Sequence, residues 1–271
     1  TGGALTSQDR TAGDRDAAAR RAFDESDWPT NKAMRRAAVK RLCELLHANR
    51  ARLADFAVNE GGAALCGVAY AHVDAPLSFL DKLIGIFDSI PCEVDLGEVA
   101  AWGGKHQRTL VKEPAGVVGA IIPWNVPLYI TVGKVIPALL AGCTVVLKPS
   151  PETPLIGAIV GELAHEAGFP PGVLNVVTSK DPAVLGDMLV TDKRVDVISF
   201  TGSTAVGKRI MERGGQTLKR LFLELGGKSA LVVFEDTPNF AEVIGRSIVC
   251  FHAGQGCAML SRLLVPRSRD Q

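Results

Sequence analysis

From residue 117 onward, short aliphatic and β-branched runs alternate with longer helical stretches. The strand-like runs cover residues 117–122, 144–148, 173–177 and 195–200, and the helical stretches cover 127–141, 152–167, 182–190 and 204–214. This alternation predicts an α/β fold with a parallel sheet and helices on both faces. Ligands on such sheets bind beyond the carboxyl ends of the strands, which is where Asn125, Lys148 and Gly202 fall in the sequence.

The N-terminal part of the chain has a helical pattern. Residues 14–23 are rich in Ala and Arg, and from Asn31 onward apolar residues recur at helical spacing, which predicts two amphipathic helices. A third apolar stretch covers residues 64–90. Pro91 interrupts it, and the mixed polar and apolar residues 92–113 predict an extended excursion or a hairpin.

The charge balance argues against a partner recognised by overall charge. The 271 residues carry 30 Lys and Arg against 29 Asp and Glu, a net charge of +1, so we expect neither nucleic-acid binding nor membrane binding. Residues 115–140 are the most apolar segment, but they contain Asn125 and three prolines. A membrane-spanning helix is therefore a poor interpretation of that segment.

The cysteines favour a reducing compartment. None of them forms a CxxC motif or a paired spacing with His, which argues against a zinc site and against a disulfide framework. We therefore expect a cytoplasmic protein with no bound metal. The six cysteines are Cys43, Cys66, Cys92, Cys143, Cys250 and Cys257.

Cys257 and Glu224 are a thiol and a carboxylate that could perform acyl chemistry together. Cys257 follows the flexible residues 254–256, which could expose its thiol, whereas the alternative is a small buried apolar residue, as expected for Cys43 and Cys143. Glu224 lies in the apolar run LFLEL, where partial burial would suit a general base. A salt bridge to Lys or Arg is the alternative for Glu224.

Three other polar residues each have a functional and a structural interpretation. Asn125, held between prolines in PWNVP, could aim its amide at an oxyanion, or it could simply form a turn. Lys148 ends a buried strand, where it could bind ribose or phosphate or be an ordinary strand-end lysine. His252 could pair with the thiol of Cys257, but a structural histidine is the preferred interpretation.

Small residues in FTGSTAVG, residues 200–207, lie where a strand would turn into a helix. Backbone N–H groups at such a turn can bind a phosphate. The segment has Gly202 and Gly207 but lacks the three-glycine dinucleotide pattern. The alternative is an ordinary tight strand-to-helix turn with no phosphate bound, which could have the same sequence.

Six motifs in order resemble the NAD(P)-dependent aldehyde dehydrogenase superfamily over residues 16–265. They are IIPWNVP, GKVIPALLAGCTVVLKPSPETPL, EAGFPPGVLNVV, VDVISFTGSTAVGKRI, LELGGKSALVVFED and GQGC. The resemblance implies a Rossmann-like cofactor domain and the oxidation of a small aldehyde to a carboxylic acid. It also implies roles for Cys257 as the nucleophile, Asn125 as an oxyanion donor and Glu224 as the base that activates water.

Cofactor contacts also follow from the resemblance. NAD is the expected cofactor. NADP is an alternative, because many NAD-preferring relatives have Glu where this chain has Pro151, with Glu152 one position later. The residues implied in cofactor binding are Ile121, Pro123, Trp124, Lys148, Ser150, Gly202, Ser203, Gly207 and Leu225.

The resemblance divides the chain into three parts. Residues 14–91 and 114–225 would form the cofactor domain, residues 92–113 an oligomerisation hairpin, and residues 226–271 the start of a catalytic domain. Because relatives continue further, we expect a fragment with impaired activity, in which the homo-oligomer typical of relatives is an open question. The alternatives are a nucleotide-binding or oligomer-forming fragment without catalysis, and a cysteine hydrolase that uses Cys257 and Glu224 without redox chemistry.

Overall fold

The computed structural model describes residues 7–247 and 251–269, and Cys250 lies outside them. The helices are α1 (Ser7–Glu25), α2 (Lys32–Ala48), α3 (Arg50–Asn59), α4 (Leu65–Gly67), α5 (Asp74–Ser78), α6 (Leu80–Ser89), α7 (Pro127–Ala141), α8 (Pro154–Glu166), α9 (Pro182–Thr191), α10 (Thr204–Gly214) and α11 (Phe240–Ser247). The strands are β1 (Glu93–Ala101), β2 (Gly104–Val111), β3 (Val117–Ile121), β4 (Thr144–Lys148), β5 (Leu174–Val176), β6 (Val197–Gly202), β7 (Arg220–Leu225), β8 (Ser229–Val232) and β9 (Leu260–Leu264). A π-helical turn covers Val68–His72, and short 3-10 turns cover Gly215–Thr217, Phe251–Gly254 and Arg267–Arg269.

One parallel sheet organises the described residues. Its strands lie in the order β5-β4-β3-β6-β7. The chain passes from β3 to β4 on one side and later to β6 on the other side, so Ile121 lies between Lys148 and Phe200. A crevice forms where the strand order reverses, and such a crevice at the carboxyl ends of strands is the usual ligand site of this architecture.

Helices cover both faces of the sheet, as predicted. One apolar core lies between the sheet and the helices α2, α6, α7 and α8, and a second lies between the sheet and the helices α1, α9 and α10. All residues of β3 and β4 are buried. Burial on both faces explains why these strands read as unbroken aliphatic runs in the sequence.

Proline marks the helix starts after β3, β4 and β5. Pro127, Pro154 and Pro182 each lie in the first turn of a helix, where the missing N–H costs nothing. At the other end of α7, Gly142 adopts a φ of 96°, and an added Cβ would lie 2.7 Å from Pro114 Cγ. These residues fix the lengths of the crossover connections that return the chain to the sheet.

One N-terminal expectation was wrong in detail. The helix expected from Asn31 onward is two helices, α2 and α3, because Asn49 ends the first by donating from Nδ2 to the Leu45 carbonyl at 2.9 Å. The apolar stretch 64–90 is broken into α4, the π-helical turn, α5 and α6. Apolar content alone does not reveal such breaks.

Buried polar contacts attach the N-terminal helices to the sheet. Trp28 donates from Nε1 to the Cys143 carbonyl at 3.0 Å. The buried Arg35 donates to the Leu140 carbonyl at 3.0 Å and to the Trp28 carbonyl at 2.8 Å. Two of these contacts satisfy carbonyls at or just after the end of α7, and the third satisfies the carbonyl of Trp28.

Two smaller units lie outside the main sheet. The strands β1 and β2 form an antiparallel hairpin whose turn residue Trp102 is 96% exposed. The strands β8 and β9 pair in parallel, with α11 between them in the sequence. Across residues 7–247 and 251–269, no helix has the length and apolar character needed to cross a bilayer. The apolar segment 115–140 forms β3 and most of α7 instead.

Candidate active site

A cavity of about 450 Å³ opens at the carboxyl edge of the sheet, over β3 and β6. It lies in the crevice where the strand order reverses. The predicted cofactor residues that line it are Ile121, Pro123, Trp124, Lys148, Ser150, Gly202 and Ser203.

A second cavity of about 670 Å³ contains the residues expected to perform the chemistry. Asn125, Glu224, Leu225 and Cys257 all line it, although they come from three separate parts of the sequence. The two cavities share the lining residues Pro123, Trp124, Thr201, Gly202 and Ser203. One ligand could therefore extend from the first cavity into the second.

The Asn125 amide is oriented by the segment that carries the thiol. Its Nδ2 donates to the Gln255 carbonyl at 2.7 Å, and Gln255 is two residues before Cys257. Pro123 and Pro127 flank Asn125 and limit the conformations of its loop. The amide is thus fixed beside the cysteine, as an oxyanion donor would have to be.

Cys257 differs from the buried cysteines. Its side chain is exposed and lies in the second cavity, whereas Cys43 and Cys143 are buried. Burial, which is the largest effect, raises the pKa of Cys43 to about 12 and also raises the pKa of Cys143. Those two thiols therefore stay protonated near neutral pH. Among the cysteines that the structure describes, Cys257 is the one that lines the second cavity.

Glu224 is exposed, so the partial burial expected from LFLEL is wrong. The strand β7 is at the edge of the sheet, and only its alternate residues Leu221, Leu223 and Leu225 pack on the core. Glu224 lies on the opposite side of the strand. Among the described residues, no Lys or Arg nitrogen lies within salt-bridge distance of its carboxylate.

Lys134 on α7 lies near enough to this carboxylate for the two charges to interact, and sequence reasoning gave it no role. Its Nζ donates to Ser199 Oγ at 2.9 Å. Burial lowers the pKa of Lys134 to about 8, and the charge of Glu224 partly opposes that shift. The available signal was that Lys134 is the one charged residue in the apolar segment 115–140.

Lys148 reaches the first cavity from the buried end of β4. Burial lowers the pKa of its ammonium, and the nearby charge of Glu152 opposes the shift. Ser150 donates from Oγ to the Glu152 carboxylate. A serine-held carboxylate and a lysine therefore lie together beside the cavity.

The start of α10 supplies backbone N–H groups to both cavities. Ser203 caps the helix by accepting from the Val206 N–H at 3.3 Å. Gly202 must be small because an added Cβ would lie 2.5 Å from the Phe200 ring. Gly207 lines neither cavity and packs under Leu225, whose Cδ2 would be 2.6 Å from an added Cβ.

His252 packs against aromatic side chains. Its ring centroid lies 4.8 Å from that of His72 and 6.3 Å from that of Trp124. Burial, with a smaller effect of His252, lowers the pKa of His72 to about 4, so His72 is neutral near pH 7. These contacts support the structural interpretation of His252. The sequence gave no signal for His72, which is 180 residues away in the chain.

No cluster of three or more His, Cys, Asp or Glu suited to a metal ion occurs in the part of the chain that the structure describes. The cytoplasmic location and the absence of nucleic-acid binding stay predictions.

A model of the aldehyde dehydrogenase family matches residues 5–271. The chain belongs to the aldehyde dehydrogenase family. This match confirms the resemblance drawn from the six motifs. Among curated relatives, the chain is 39% identical over 251 residues to the betaine aldehyde dehydrogenase of Bacillus subtilis (strain 168), covering 92% of this chain and 50% of that protein. It is 47% identical over 171 residues to the mitochondrial succinate-semialdehyde dehydrogenase of Arabidopsis thaliana, covering 62% of this chain and 32% of that protein.

Solved structures of aldehyde dehydrogenases have the same fold. The betaine aldehyde dehydrogenase of Staphylococcus aureus in complex with NAD⁺ superimposes with a TM-score of 0.87 at 34% identity, covering 96% of this chain and 50% of that one. The aldehyde dehydrogenase of Bartonella henselae gives a TM-score of 0.87 at 35% identity, covering 96% and 53% of the two chains. This family member spans about half the length of the curated relatives it matches.

Proposed function

We propose that this aldehyde dehydrogenase-family chain oxidises an aldehyde to a carboxylic acid and transfers the hydride to NAD⁺, or alternatively to NADP⁺, with Cys257 as the nucleophile. One arrangement supports the proposal above all others. Cys257, Asn125 and Glu224 line one cavity, and that cavity shares a wall with the cavity over β3 and β6. The Staphylococcus aureus relative was solved in complex with NAD⁺.

The residues around the first cavity suit a dinucleotide. The N-terminus of α10, capped by Ser203, offers N–H groups and a positive dipole end to a pyrophosphate. Lys148 and the Ser150–Glu152 pair offer hydrogen bonds to a ribose or its phosphate. The bound nicotinamide ring supplies a hydride acceptor.

The first chemical step belongs to Cys257 and Asn125. The thiolate sulfur forms a bond to the carbonyl carbon, and the carbonyl electron pair moves to oxygen, which gives a thiohemiacetal oxyanion. Asn125 Nδ2 carries two hydrogens; one is donated to the Gln255 carbonyl and the other can be donated to the oxyanion. As the oxyanion collapses, the carbon loses a hydride and becomes a thioester.

The second step belongs to Glu224. Its carboxylate accepts a proton from water, and the resulting hydroxide adds to the thioester carbon. The carbon–sulfur bond then breaks, so that the acid leaves and the Cys257 thiolate is restored. The exposure of Glu224 gives it access to water, and Lys134 supplies a positive charge on the same side of the sheet.

A single-turnover experiment tests the proposal. The chain is mixed with a simple aldehyde and NAD⁺ or NADP⁺, cofactor reduction is followed by absorbance, and the acylated peptide is located by mass spectrometry. We expect an acyl group on Cys257 and an equal amount of reduced cofactor, both lost in Cys257→Ala. Turnover should be slow because Cys257 and Glu224 are exposed and water is not excluded.

Matched variants make the result specific. Cys66→Ala and Cys92→Ala remove exposed thiols outside the two cavities and should change neither measurement. Ester cleavage by Cys257 that needs no cofactor would favour the cysteine hydrolase alternative. Cofactor reduction that persists in Cys257→Ala would contradict the proposal.

The exposure of Cys257 and Glu224 in the second cavity favours a second candidate function, which is dinucleotide binding without turnover. NAD⁺ binding measured by calorimetry, with no acylation of Cys257 and no cofactor reduction, is the result expected for it. The same titration separates a binding chain from one that has no competent cavity.

The hairpin of β1 and β2 is proposed as an assembly surface between copies of this chain. This proposal is supported by three exposed apolar side chains on the hairpin, those of Leu96, Trp102 and Leu110. Light scattering should report a dimer or larger species that Trp102→Ser weakens. A monomer at all concentrations would contradict this part of the proposal.

A further inference from the structure

The turn formed by residues 150–153 carries polar groups of the first cavity. The Thr153 N–H donates to the Ser150 carbonyl at 3.2 Å and closes the turn. Residues 150–152 line the first cavity and are not part of the lining of the second. The helix α8 begins at the next residue, Pro154, so the orientation of the turn depends on how the start of α8 is held.

The residue that would ordinarily cap α8 does not do so. Thr153 is at the N-cap position, but its side chain makes no capping hydrogen bond. Its Oγ1 is buried and has no hydrogen-bond partner within residues 7–247 and 251–269. A threonine at this position normally accepts from an N–H of the first helical turn. Those N–H groups are therefore left for another acceptor.

Glu60, at the end of α3, is that acceptor, although it lies 95 positions away from Leu155. Its carboxylate accepts from the Leu155 N–H, with Oε1 at 2.9 Å and Oε2 at 3.2 Å. A negative charge is favourable at the N-terminus of a helix. The following residue, Gly61, lies against the turn, because an added Cβ there would be 3.8 Å from Thr153 Cγ2. The end of α3 thus contacts both the turn and the helix that follows it.

The position of Glu60 has a cost for its charged form. Burial, the largest effect, raises the pKa of Glu60, and the N–H groups of Leu155 and Ile156 oppose the shift without cancelling it. The neutral hydroxyl of Thr153 could cap α8 without moving a charge out of water. The stability of the helix alone therefore gives weak reason for a carboxylate at this place.

A second link between α3 and α8 lies away from the turn. Arg52 donates to the two carboxylate oxygens of Glu162 at 2.7 Å and 2.9 Å. Glu162 lies about two helical turns beyond Leu155, and both side chains of the ion pair are exposed. The chain thus offers two carboxylates that join the same pair of helices, one beside the turn and one distant from it.

We propose that Glu60 is a positioning residue for the cofactor. By fixing the start of α8, it holds the Ser150–Glu152 pair where the pair can bind a ribose. The inference rests on the proposed function, in which this pair offers hydrogen bonds to that sugar. Glu60 lines neither cavity, so it acts through the turn and makes no cofactor contact of its own.

Calorimetric titration with NAD⁺, or with NADP⁺ if that cofactor binds more tightly, compares matched variants of the two links. Glu60→Ala should weaken binding by about fivefold, the factor that corresponds to a lost N-cap of typical strength. Glu162→Ala removes the carboxylate of the distant link and should leave the affinity unchanged. Glu60→Gln keeps one acceptor oxygen for the Leu155 N–H and should lose less than Glu60→Ala. Equal affinities of Glu60→Ala and Glu162→Ala would overturn the inference.

A double-mutant cycle separates positioning from a general effect on the fold. The background variant carries Ser150→Ala and Glu152→Ala, which remove the pair that Glu60 holds. In this background, Glu60→Ala should weaken cofactor binding by less than about twofold, because the positioned groups are gone. If the background binds too weakly to measure, Glu152→Ala alone replaces it. The same loss with and without the pair would assign Glu60 to the fold alone and overturn the inference.

Cys257 gives a readout in the other cavity. The rate of its alkylation by iodoacetamide, measured without cofactor, should be the same in Glu60→Ala and in the wild type, because residues 150–152 do not line the second cavity. A changed rate would indicate that the fold has loosened generally, and it would overturn an effect confined to the turn.

Different outcomes separate this inference from the proposed function. If the wild-type chain binds neither NAD⁺ nor NADP⁺, the proposed function fails and the inference fails with it. If the wild type binds one of them and Glu60→Ala binds it equally well, only the inference is overturned. Circular dichroism of each variant checks that it is folded. Glu60→Asp, whose carboxylate is one methylene closer to its own backbone, replaces Glu60→Ala if the latter does not fold.

Discussion

Asn125 and Gln255 are 130 positions apart in the sequence, yet the amide nitrogen of the first lies 2.7 Å from the carbonyl oxygen of the second. The contact joins the loop after β3 to the segment that presents Cys257. One hydrogen bond therefore positions the proposed oxyanion donor beside the segment of the proposed nucleophile. A change at Asn125 should affect both.

Asn125→Ala should lower the rate of Cys257 acylation by roughly a hundredfold or more, since it removes an oxyanion donor. Asn125→Asp should be at least as harmful, because a carboxylate repels both the Gln255 carbonyl and the oxyanion. The measurement is the rate at which the acylated peptide appears after mixing with aldehyde and cofactor. Asn59→Ala, at an exposed position on α3, is the control. An unchanged rate in Asn125→Ala would rule out the oxyanion role.

His72→Ala should loosen the segment before Cys257. The buried His72 ring packs against His252, which is five residues before Cys257. Alkylation by iodoacetamide should therefore become several-fold faster or slower at Cys257 relative to Cys92 in the same molecules. The exposed His47→Ala should leave that ratio unchanged. Equal changes at both cysteines would indicate general unfolding instead of a local effect.

Gly207→Ala should reduce both stability and cofactor affinity. An added Cβ would lie 2.6 Å from Leu225 Cδ2, so Leu225 or α10 must move. Gly85→Ala is the matched control, since it lies in the helix α6 with no atom near an added Cβ. Gly85→Ala should stabilise the protein by up to about 1 kcal/mol. Thermal melts and NAD⁺ titrations of both variants check the contrast.

Asp16→Asn should stabilise the protein at and above neutral pH. Asp16 is buried, and burial, followed by the charge of Asp192, raises its pKa from 3.8 to about 7. The folded state therefore favours the protonated form, and this contribution to stability is present below pH 4 and is lost as the pH rises through 7. Asparagine cannot ionise, so the Tm of Asp16→Asn should exceed that of the wild type by a few degrees above pH 7.

The advantage of Asp16→Asn should shrink as the pH falls toward 4. Asp14→Asn, at an exposed position on the same helix, should show no such trend. A constant Tm difference between Asp16→Asn and the wild type at every pH would contradict the assignment.

The sheet and its crossover helices were predictable because their signals are local. Strands buried on both faces read as continuous aliphatic runs, and Pro127, Pro154 and Pro182 mark helix starts in the sequence itself. The same local logic failed at Glu224. An edge strand buries only one of its two faces. The sequence LFLEL does not reveal whether its strand is central or at the edge of the sheet, so the exposure of Glu224 could not be predicted from it.

The parts of the site that escaped sequence reasoning depend on contacts between distant segments. Arg209 and Asp187 meet across two helices, Lys134 and Ser199 meet across a helix and a strand, and His72 meets His252 through the packing of a π-helical turn. None of these pairs has a recurring spacing that a pattern could capture. Each becomes visible only when the register of the sheet fixes where the helices lie.

The wall common to the two cavities, formed by residues 123–124 and 201–203, divides the substitutions that can be made around them into two kinds. Under the proposed function, a change in that wall should alter both the affinity for the nucleotide and the reactivity of the thiol, because the same residues line both cavities. Changes at Arg209 touch one compartment and changes at Glu224 touch the other. If one ligand occupies both cavities as proposed, its affinity and the reactivity of the thiol should change separately at the two ends and together at the shared wall.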